Sequence, residues 1–267
     1  MIQIDASRCV GCGACVADCF PENLFLEDGV AHAHGACIEC GHCFAVCPAD
    51  AVDMGDDYPL RDVIEFSDWQ PEIDDDTLLA FIKSRRSIRR FRDEEVPREV
   101  LTRVLDAGRF TPTGGNAQNV RYIVVQQELP AVKEMAWSGF DAVIEQMAAQ
   151  LGEGHLLIDT LHRLRDHHAA DANDDRLFFN APVLLLVCSP APLNAGLAAS
   201  SIELAAHACG LGVLYTGFVQ RAIAGNPDLC ARLAVKPEEI VTCMLIGHPA
   251  VTYQRTAPRK SAEIDWR

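Results

Sequence analysis

Cys9-Val10-Gly11-Cys12-Gly13-Ala14-Cys15-Val16-Ala17-Asp18-Cys19 is followed by Phe20-Pro21, and Cys37-Ile38-Glu39-Cys40-Gly41-His42-Cys43-Phe44-Ala45-Val46-Cys47 is followed directly by Pro48. Eight cysteines so close together can be read as a disulfide framework, two zinc sites or iron–sulfur clusters. Disulfides need an oxidising compartment. The stretch Met1-Ile2-Gln3-Ile4-Asp5 has neither the basic n-region nor the apolar h-region of an export signal. A structural zinc site takes four ligands, usually as two knuckle pairs, so a third cysteine two residues further on is surplus. The spacing C-x2-C-x2-C-x3-C-P instead wraps three thiolates around one corner of a cubane and sends the fourth to a partner cluster. The two runs therefore predict one [4Fe–4S] cluster on Cys9, Cys12, Cys15 and Cys47, and a second on Cys37, Cys40, Cys43 and Cys19. Small residues between the ligands (Gly11, Gly13, Ala14, Gly41) let backbone amides approach the sulfurs.

The remaining composition bounds the rest of the chain. A length of 267 residues suggests one large domain or two unequal ones, and 49% hydrophobic with 23% charged residues is a globular composition. A net charge of −15, from 23 basic and 38 acidic residues, argues against nucleic-acid binding, which needs a basic footprint. No apolar run reaches the 18 residues of a membrane-spanning helix, so no membrane partner and a cytoplasmic location are expected. Ten of the acids fall in residues 1–57 against a single base, Arg8, so this segment carries 1 − 10 = −9. That charge is either a solvated face or a steering surface for a basic redox partner. His32, His34 and His42 read as surface or packing residues. Cys188, Cys209, Cys230 and Cys243 sit among apolar neighbours and read as inert core thiols.

Residues 1–57 resemble the bacterial two-[4Fe–4S] ferredoxin family, which implies a small pseudo-symmetric fold passing single electrons between clusters. Residues 58–76, with Tyr58-Pro59-Leu60, Trp69-Gln70-Pro71 and Asp74-Asp75-Asp76, show no sustained period and read as a connector. Its Phe66 and Trp69 suggest that it packs on a domain surface. Asp76 or Thr77 is the expected cap of a helix that follows.

Residues 77–267 mix helical and strand patterns. Helices are expected around Leu78–Ile82, after Pro97 and over 192–209; strands are expected at Tyr122–Val125, Val183–Cys188 and Val241–Ile246. The stretch 162–175, with His167-His168 and several acids, reads as solvated or mobile. Gly210-x-Gly212 with Gly217 is neither a dinucleotide fingerprint nor a P-loop. Arg85-Arg86-Ser87-Ile88-Arg89 suits a phosphate monoester, because guanidinium groups give bidentate, permanently charged contacts.

Four motifs recur in a fixed order: Arg85-Arg86-Ser87-Ile88-Arg89, Pro112-Thr113-Gly114-Gly115-Asn116-Ala117-Gln118, Gly210–Gly217, and Gly247-His248-Pro249 with Arg259-Lys260. This ordered set resembles the nitroreductase family of flavin enzymes over essentially all of 77–267. The resemblance implies an α+β fold, a central sheet flanked by helices, and a homodimer through this domain with FMN at each of two subunit-interface sites. It implies phosphate and ribityl ligands in Arg85, Arg86, Ser87 and Arg89, with Arg259 and Lys260 closing the phosphate site. It places Pro112, Thr113 and Gly114 on the isoalloxazine from the neighbouring subunit, with polar contacts from Asn116 and Gln118. Tyr215, Thr216 and Gly217 would line the flavin edge, where a backbone N–H tunes flavin electronics. The sequence departs from many relatives at Gln118-Asn119-Val120, where they carry Gln-Pro-Trp.

The expected function is an FMN-dependent oxidoreductase with its electron-transfer module fused in cis. The clusters carry single electrons, and FMN collects two for delivery to an electron-poor small molecule of nitroaromatic, quinone or activated-alkene type. The flavin carries the chemistry, and no side chain need act as a nucleophile. The external donor would be ferredoxin-type or NAD(P)H. A second reading is an electron-transfer or flavin-binding module of a larger redox complex with no small substrate of its own. A third is a flavin-modifying enzyme.

Overall fold

The computed structural model describes residues 2–66 and 73–267. Trp69-Gln70-Pro71 of the expected connector lies outside the described residues. The chain divides into two compact units, Met1–Glu72 with Thr113–Gln118, and Ile73–Pro112 with Asn119–Arg267. The boundary at Glu72/Ile73 falls inside the stretch expected as a separate connector. Residues 113–118, which the sequence boundaries place in the second domain, belong to the first unit. Phe66 is 65% exposed.

The first unit is built twice over. In chain order it contains β1 (Gln3–Ile4), α1 (Ala14–Ala17), β2 (Leu24–Glu27), β3 (Val30–Ala33), α2 (His42–Val46) and β4 (Val52–Asp53). Strands β1 and β4 pair antiparallel, as do β2 and β3. Asp28 (φ 50°) and Gly29 (φ 77°) join β2 to β3, and positive φ at both central residues makes the tight turn whose twist matches the strands it joins. The two halves repeat at an offset of 37 − 9 = 28 residues. Left-handed positions recur at Gly11 and Glu39, Gly13 and Gly41, and Glu22 and Asp50. Gly13 and Gly41 open the two short helices from that conformation. A core of Ile2, Leu24, Ala31, Val52 and Met54 packs with Cys15 and Cys43. His32 and His34 each lie against Phe25 in tilted ring contacts, at 5.5 and 5.3 Å between ring centroids, in the packing role expected of them.

The second unit is an antiparallel sheet between two layers of helices. Its helices are α3 (Asp75–Ser84), α4 (Arg98–Arg109), α5 (Leu129–Ser138), α6 (Phe140–Leu151), α7 (Leu156–Ala170), α8 (Pro192–Ala208), α9 (Gly217–Ala224) and α10 (Pro227–Arg232). Its strands are β5 (Arg121–Val125), β6 (Val183–Cys188), β7 (Gly212–Tyr215) and β8 (Ile240–Gly247), in the order β5-β6-β8-β7. Strand β6 is buried on both faces, which is why it reads as a continuous apolar run rather than an alternating one. Alternate residues part cleanly. Leu184, Leu186, Leu214, Cys243 and Leu245 join the core under α5–α7, α9 and α10, whereas Val183, Leu185, Val187, Val213, Met244 and Ile246 face α4 and α8. This is the helix-flanked α+β sheet expected from the sequence.

Three local expectations need correction. Helix α3 is capped by Asp74, whose carboxylate accepts from Thr77 N at 2.9 Å, not by Asp76 or Thr77. In a run of three aspartates the sequence does not tell which one turns back on the chain. The stretch 162–175 is not a solvated segment throughout: α7 continues to Ala170, His168 stacks on Trp137 at 4.0 Å, and Asp175 is buried against Lys133 and the Trp137 indole. Cys209 is exposed beyond α8, while Cys188, Cys230 and Cys243 are buried as expected, with burial raising their thiol pKa values.

Candidate functional site

The first unit brings the cysteines together in two sets. Cys9, Cys12, Cys15 and Cys47 line one cavity, and Cys19, Cys37, Cys40 and Cys43 line another. In each set three sulfurs come from one run and the fourth from the other, the grouping set by the spacing. Backbone N–H groups point at the sulfurs: Asn23 N to Cys19 Sγ and Ala51 N to Cys47 Sγ, each at 3.3 Å, Glu39 N to Cys37 Sγ at 3.3 Å, and Ala31 N to Cys9 Sγ at 3.4 Å. Such donors stabilise a thiolate. Burial pushes the Cys43 thiol up to about 11 and raises Cys15 as well. One buried thiol in each set that resists ionisation alone, beside sulfurs that face N–H donors, fits a cationic iron–sulfur core that supplies the missing charge. The sulfurs line cavity walls, and among the described residues no three His, Cys, Asp or Glu side chains are placed to hold a single metal ion.

Glu39 is the asymmetric element of this unit. It occupies the left-handed position that Gly11 holds in the first half, at a cost of about 1–2 kcal/mol for a residue with a side chain. Asn116 Nδ2 donates to the carbonyls of Ile38 (3.1 Å) and Glu39 (2.8 Å). Tyr58 links to the Glu39 carboxylate and to Gln118 Nε2, each at 3.3 Å. Thr113 Oγ1 accepts from Gln118 N at 3.0 Å, and Gly114–Asn116 forms one tight turn. Asn116 and Gln118 are thus bonded to the loop between Cys37 and Cys40 and to Tyr58, partners that nothing in the sequence indicated. Pro112 stays with the second unit.

In the second unit the segment 85–89 lies along β7. Ser87 bridges Val213, and Ile88 N donates to Val213 O at 2.9 Å. Gly212 permits this approach, since a Cβ there would stand 2.5 Å from Ile88 Cγ1 and 2.8 Å from its Cβ. Gly210 adopts φ +74° just beyond α8, the left-handed turn that ends a helix. Motifs more than 120 residues apart in the chain are so brought side by side.

The arginines then part. Arg85 Nη1 bonds Glu203 Oε1 at 2.6 Å, in a cavity of about 300 Å³ that Ser84, Arg86, His207 and Tyr253 also line. Burial raises the Glu203 carboxyl pKa, and the Arg85 guanidinium opposes that rise. His207 Nε2 lies 2.8 Å from Ser84 Oγ, and burial, then the Arg85 charge, lower its pKa. Arg86 lies over the Tyr253 ring at 5.9 Å. Arg89 instead lines a second cavity of about 440 Å³ with Tyr215, Thr216 and Gly217. Its wall is apolar at Met147, Leu157, Leu164, Leu177, Phe179 and Phe218, and cationic at Arg89, Arg176 and Arg221. Thr216 caps α9, its hydroxyl accepting from Val219 N at 3.5 Å, so the positive end of that helix opens at the cavity. Arg259 and Lys260 lie on the exposed tail that follows β8.

Sequence reasoning missed Glu203, His207, Arg176 and Arg221. A lone Glu on the alanine-rich face of α8 was the available signal for the first. Arg176 and Arg221 carry no local pattern.

A cysteine-lined module of ferredoxin type, joined to a helix-flanked sheet with an arginine-bearing cavity, defines a redox protein of two modules. Residues 82–248 match the nitroreductase family, and residues 1–48 match a 4Fe-4S dicluster domain. The chain belongs to the nitroreductase family. It is 27% identical over 184 residues to a Methanothermobacter thermautotrophicus protein provisionally named NADH dehydrogenase/NAD(P)H nitroreductase, covering 65% of this chain and 78% of that one. It is 27% identical over 181 residues to the FMN reductase [NAD(P)H] of Bacillus subtilis, covering 65% of this chain and 66% of that protein, just under two thirds of its length. Among solved structures, an FMN-bound nitroreductase from Desulfitobacterium hafniense shares the fold, with a TM-score of 0.55 and 23% identity over 70% of this chain and 97% of that one. A BluB-like flavoprotein from Clostridium difficile 630 shares it with a TM-score of 0.53 and 17% identity over 70% and 98%. Among the described residues no helix is long and apolar enough to cross a membrane.

Proposed function

We propose that the protein takes electrons from an external donor through two [4Fe–4S] clusters to FMN and reduces an electron-poor small molecule of nitroaromatic, quinone or activated-alkene type. Membership of the nitroreductase family makes it an FMN-dependent oxidoreductase. The observation that carries the fuller reading is the presence, on one chain with that family domain, of two four-cysteine cavities, each drawing one sulfur from the opposite run. When bound, the clusters supply single-electron transfer and FMN supplies two-electron reduction.

The chain's own groups hold and tune these cofactors. Cys9, Cys12, Cys15 and Cys47 hold one cluster; Cys37, Cys40, Cys43 and Cys19 hold the other; and main-chain N–H groups offset the sulfur charge. Arg89 and the backbone of Tyr215–Gly217 hold FMN in the 440 Å³ cavity. Its size is within the range of small-molecule sites, and its apolar wall suits a planar ring. Arg86 and Ser87, with Arg259 and Lys260 from the tail, add phosphate contacts in the assembled homodimer, which forms through this domain. Arg85 serves mainly to neutralise buried Glu203. The donor is of ferredoxin type; NAD(P)H, which appears in the names of two relatives, is the second possibility. Unpaired thiols at Cys188, Cys209, Cys230 and Cys243 favour a reducing, cytoplasmic setting.

Anaerobic reconstitution tests the reading. Iron and acid-labile sulfide near eight per chain, with FMN bleaching under a low-potential donor and reoxidation by nitro, quinone or enone compounds, is the expected result. Zinc in place of iron defeats the cluster assignment. Reoxidation that no acceptor accelerates favours a carrier without its own substrate.

A further inference from the structure

The loop Cys37-Ile38-Glu39-Cys40 lies between two proposed ligands of one cluster, and a side chain far along the sequence grips it. Both donor positions of the Asn116 amide are engaged, with Ile38 O at 3.1 Å and Glu39 O at 2.8 Å, since an amide nitrogen carries two hydrogens. The first of these bonds is one link of a chain. The peptide unit whose oxygen is Ile38 O has Glu39 N as its nitrogen, and that N–H donates to Cys37 Sγ at 3.3 Å. A donor on the carbonyl oxygen polarises the peptide and makes its N–H a stronger donor, because hydrogen bonds in series reinforce one another in a low-dielectric surrounding.

We infer that Asn116 is a positioning residue for the cluster held by Cys37, Cys40, Cys43 and Cys19, raising its reduction potential through the Ile38–Glu39 peptide. Hydrogen bonds to cluster sulfurs stabilise the reduced, more negative state and set the potential. The other half carries Gly11 at the position of Glu39, so the two clusters differ in this contact although their cysteine spacings match. Glu39 is held in its left-handed conformation from two sides, by Asn116 on its carbonyl and by Tyr58 on its carboxylate. Asn116 sits in the segment whose resemblance pointed to flavin contact. With both N–H groups committed to the cysteine loop, Oδ1 is the amide atom left to meet another group. The inference rests on the cluster reading above and adds a role for a residue that is not a ligand.

The test is an anaerobic redox titration of the loaded full-length protein, followed by electron paramagnetic resonance, with iron content measured on every sample. Asn116→Ala is expected to lower the midpoint of one cluster and leave the other in place. The reduction equilibrium of the affected cluster should fall about twofold to fivefold, or roughly 18–41 mV at 59 mV per decade for one electron. Asn116→Asp, isosteric but with an acceptor facing both carbonyls, should lower it further, and Asn116→Gln should recover part of the loss. Unchanged midpoints in an Ala variant with full iron, or an equal shift in both clusters, overturn the inference and leave the cluster reading intact. If the Ala variant loses iron, the Asp variant decides by the same criterion. Wild-type protein that shows no cluster signal overturns the cluster reading, and this inference with it.

Discussion

Gly212→Ala tests the contact that joins the two most widely separated motifs of the second unit. A Cβ at this position would stand 2.5 Å from Ile88 Cγ1, 2.8 Å from its Cβ and 3.0 Å from its Cγ2. Ile88 is buried and β-branched, so rotation about χ1 exchanges one clashing branch for another. The segment 87–88 has to move off β7, and the 2.9 Å bond from Ile88 N to Val213 O goes with it. Overpacking costs about 1–3 kcal/mol and the lost bond about 1 kcal/mol, while the stiffer unfolded chain returns about 0.5–1 kcal/mol. The net is a loss of about 1–3.5 kcal/mol, which lowers the Tm of a domain this size by about 2–14 °C. Thermal unfolding of the apoprotein by circular dichroism reads the stability, and fluorescence titration reads FMN affinity, which should weaken because Arg89 is carried by the displaced segment. The clash is specific to one side chain. In an Ile88→Ala background only the 2.8 Å approach to the Ile88 Cβ position remains, so the penalty of Gly212→Ala should be smaller there than in wild type. A wild-type Tm in Gly212→Ala, or an undiminished penalty in the Ile88→Ala background, refutes the close-approach argument.

Removing Arg85 leaves the Glu203 carboxylate buried without its partner, so Arg85→Ala should cost about 2–4 kcal/mol, less than a fully buried pair because Arg85 is a quarter exposed; adding Glu203→Gln should recover most of this in denaturant melts. The same pair sets a pH dependence. The folded-state pKa of Glu203 is raised, so its contribution to stability is complete below the unfolded carboxyl pKa and is lost as pH rises through the folded value. Arg85→Ala raises that value further, and its penalty should be larger at pH 7 than near pH 4.5 and should vanish as a pH effect in the double variant. Arg89→Ala should weaken FMN binding about tenfold to a hundredfold, the worth of one charge-assisted bond, with little change in the apoprotein's melting temperature. Cys40→Ala should lower bound iron and sulfide below the wild-type level, measured chemically on protein reconstituted side by side with wild type.

The chemistry of this chain was legible wherever a cofactor imposes residue types at fixed spacing. The cysteine runs pointed to the 4Fe-4S domain and to the two groups of four cysteines that line separate cavities, because the C-x2-C-x2-C-x3-C-P spacing sends the fourth cysteine of each run to the other set. The glycines of Gly210–Gly217 were legible only as a motif; the fold separates their tasks, Gly210 ending α8 and Gly212 admitting Ile88. Long-range bonds left no trace in the pattern. Nothing in Thr113–Gln118 shows that Asn116 reaches Ile38 and Glu39, since an amide side chain carries the same sequence signal whichever partner it meets. The sequence around Arg85 gave no sign of its bond to Glu203, which lies 118 residues away in an alanine-rich helix. Asp175 likewise looked like one of several solvated acids until Lys133 and Trp137 were seen around it. Charge pairs across the fold were the least legible class, because each half of a pair looks like ordinary surface polarity by itself.

The relay from clusters to FMN is tested most directly by the rate at which a reduced ferredoxin-type donor bleaches the flavin in anaerobic stopped-flow mixing, with wild-type and Cys40→Ala proteins matched for FMN content. A fall of at least about tenfold in the variant, the effect of losing about 1.4 kcal/mol or more of assistance to electron entry, is the predicted result. Flavin bleaching at the wild-type rate in Cys40→Ala would show that electrons reach FMN without the cluster and would contradict the relay.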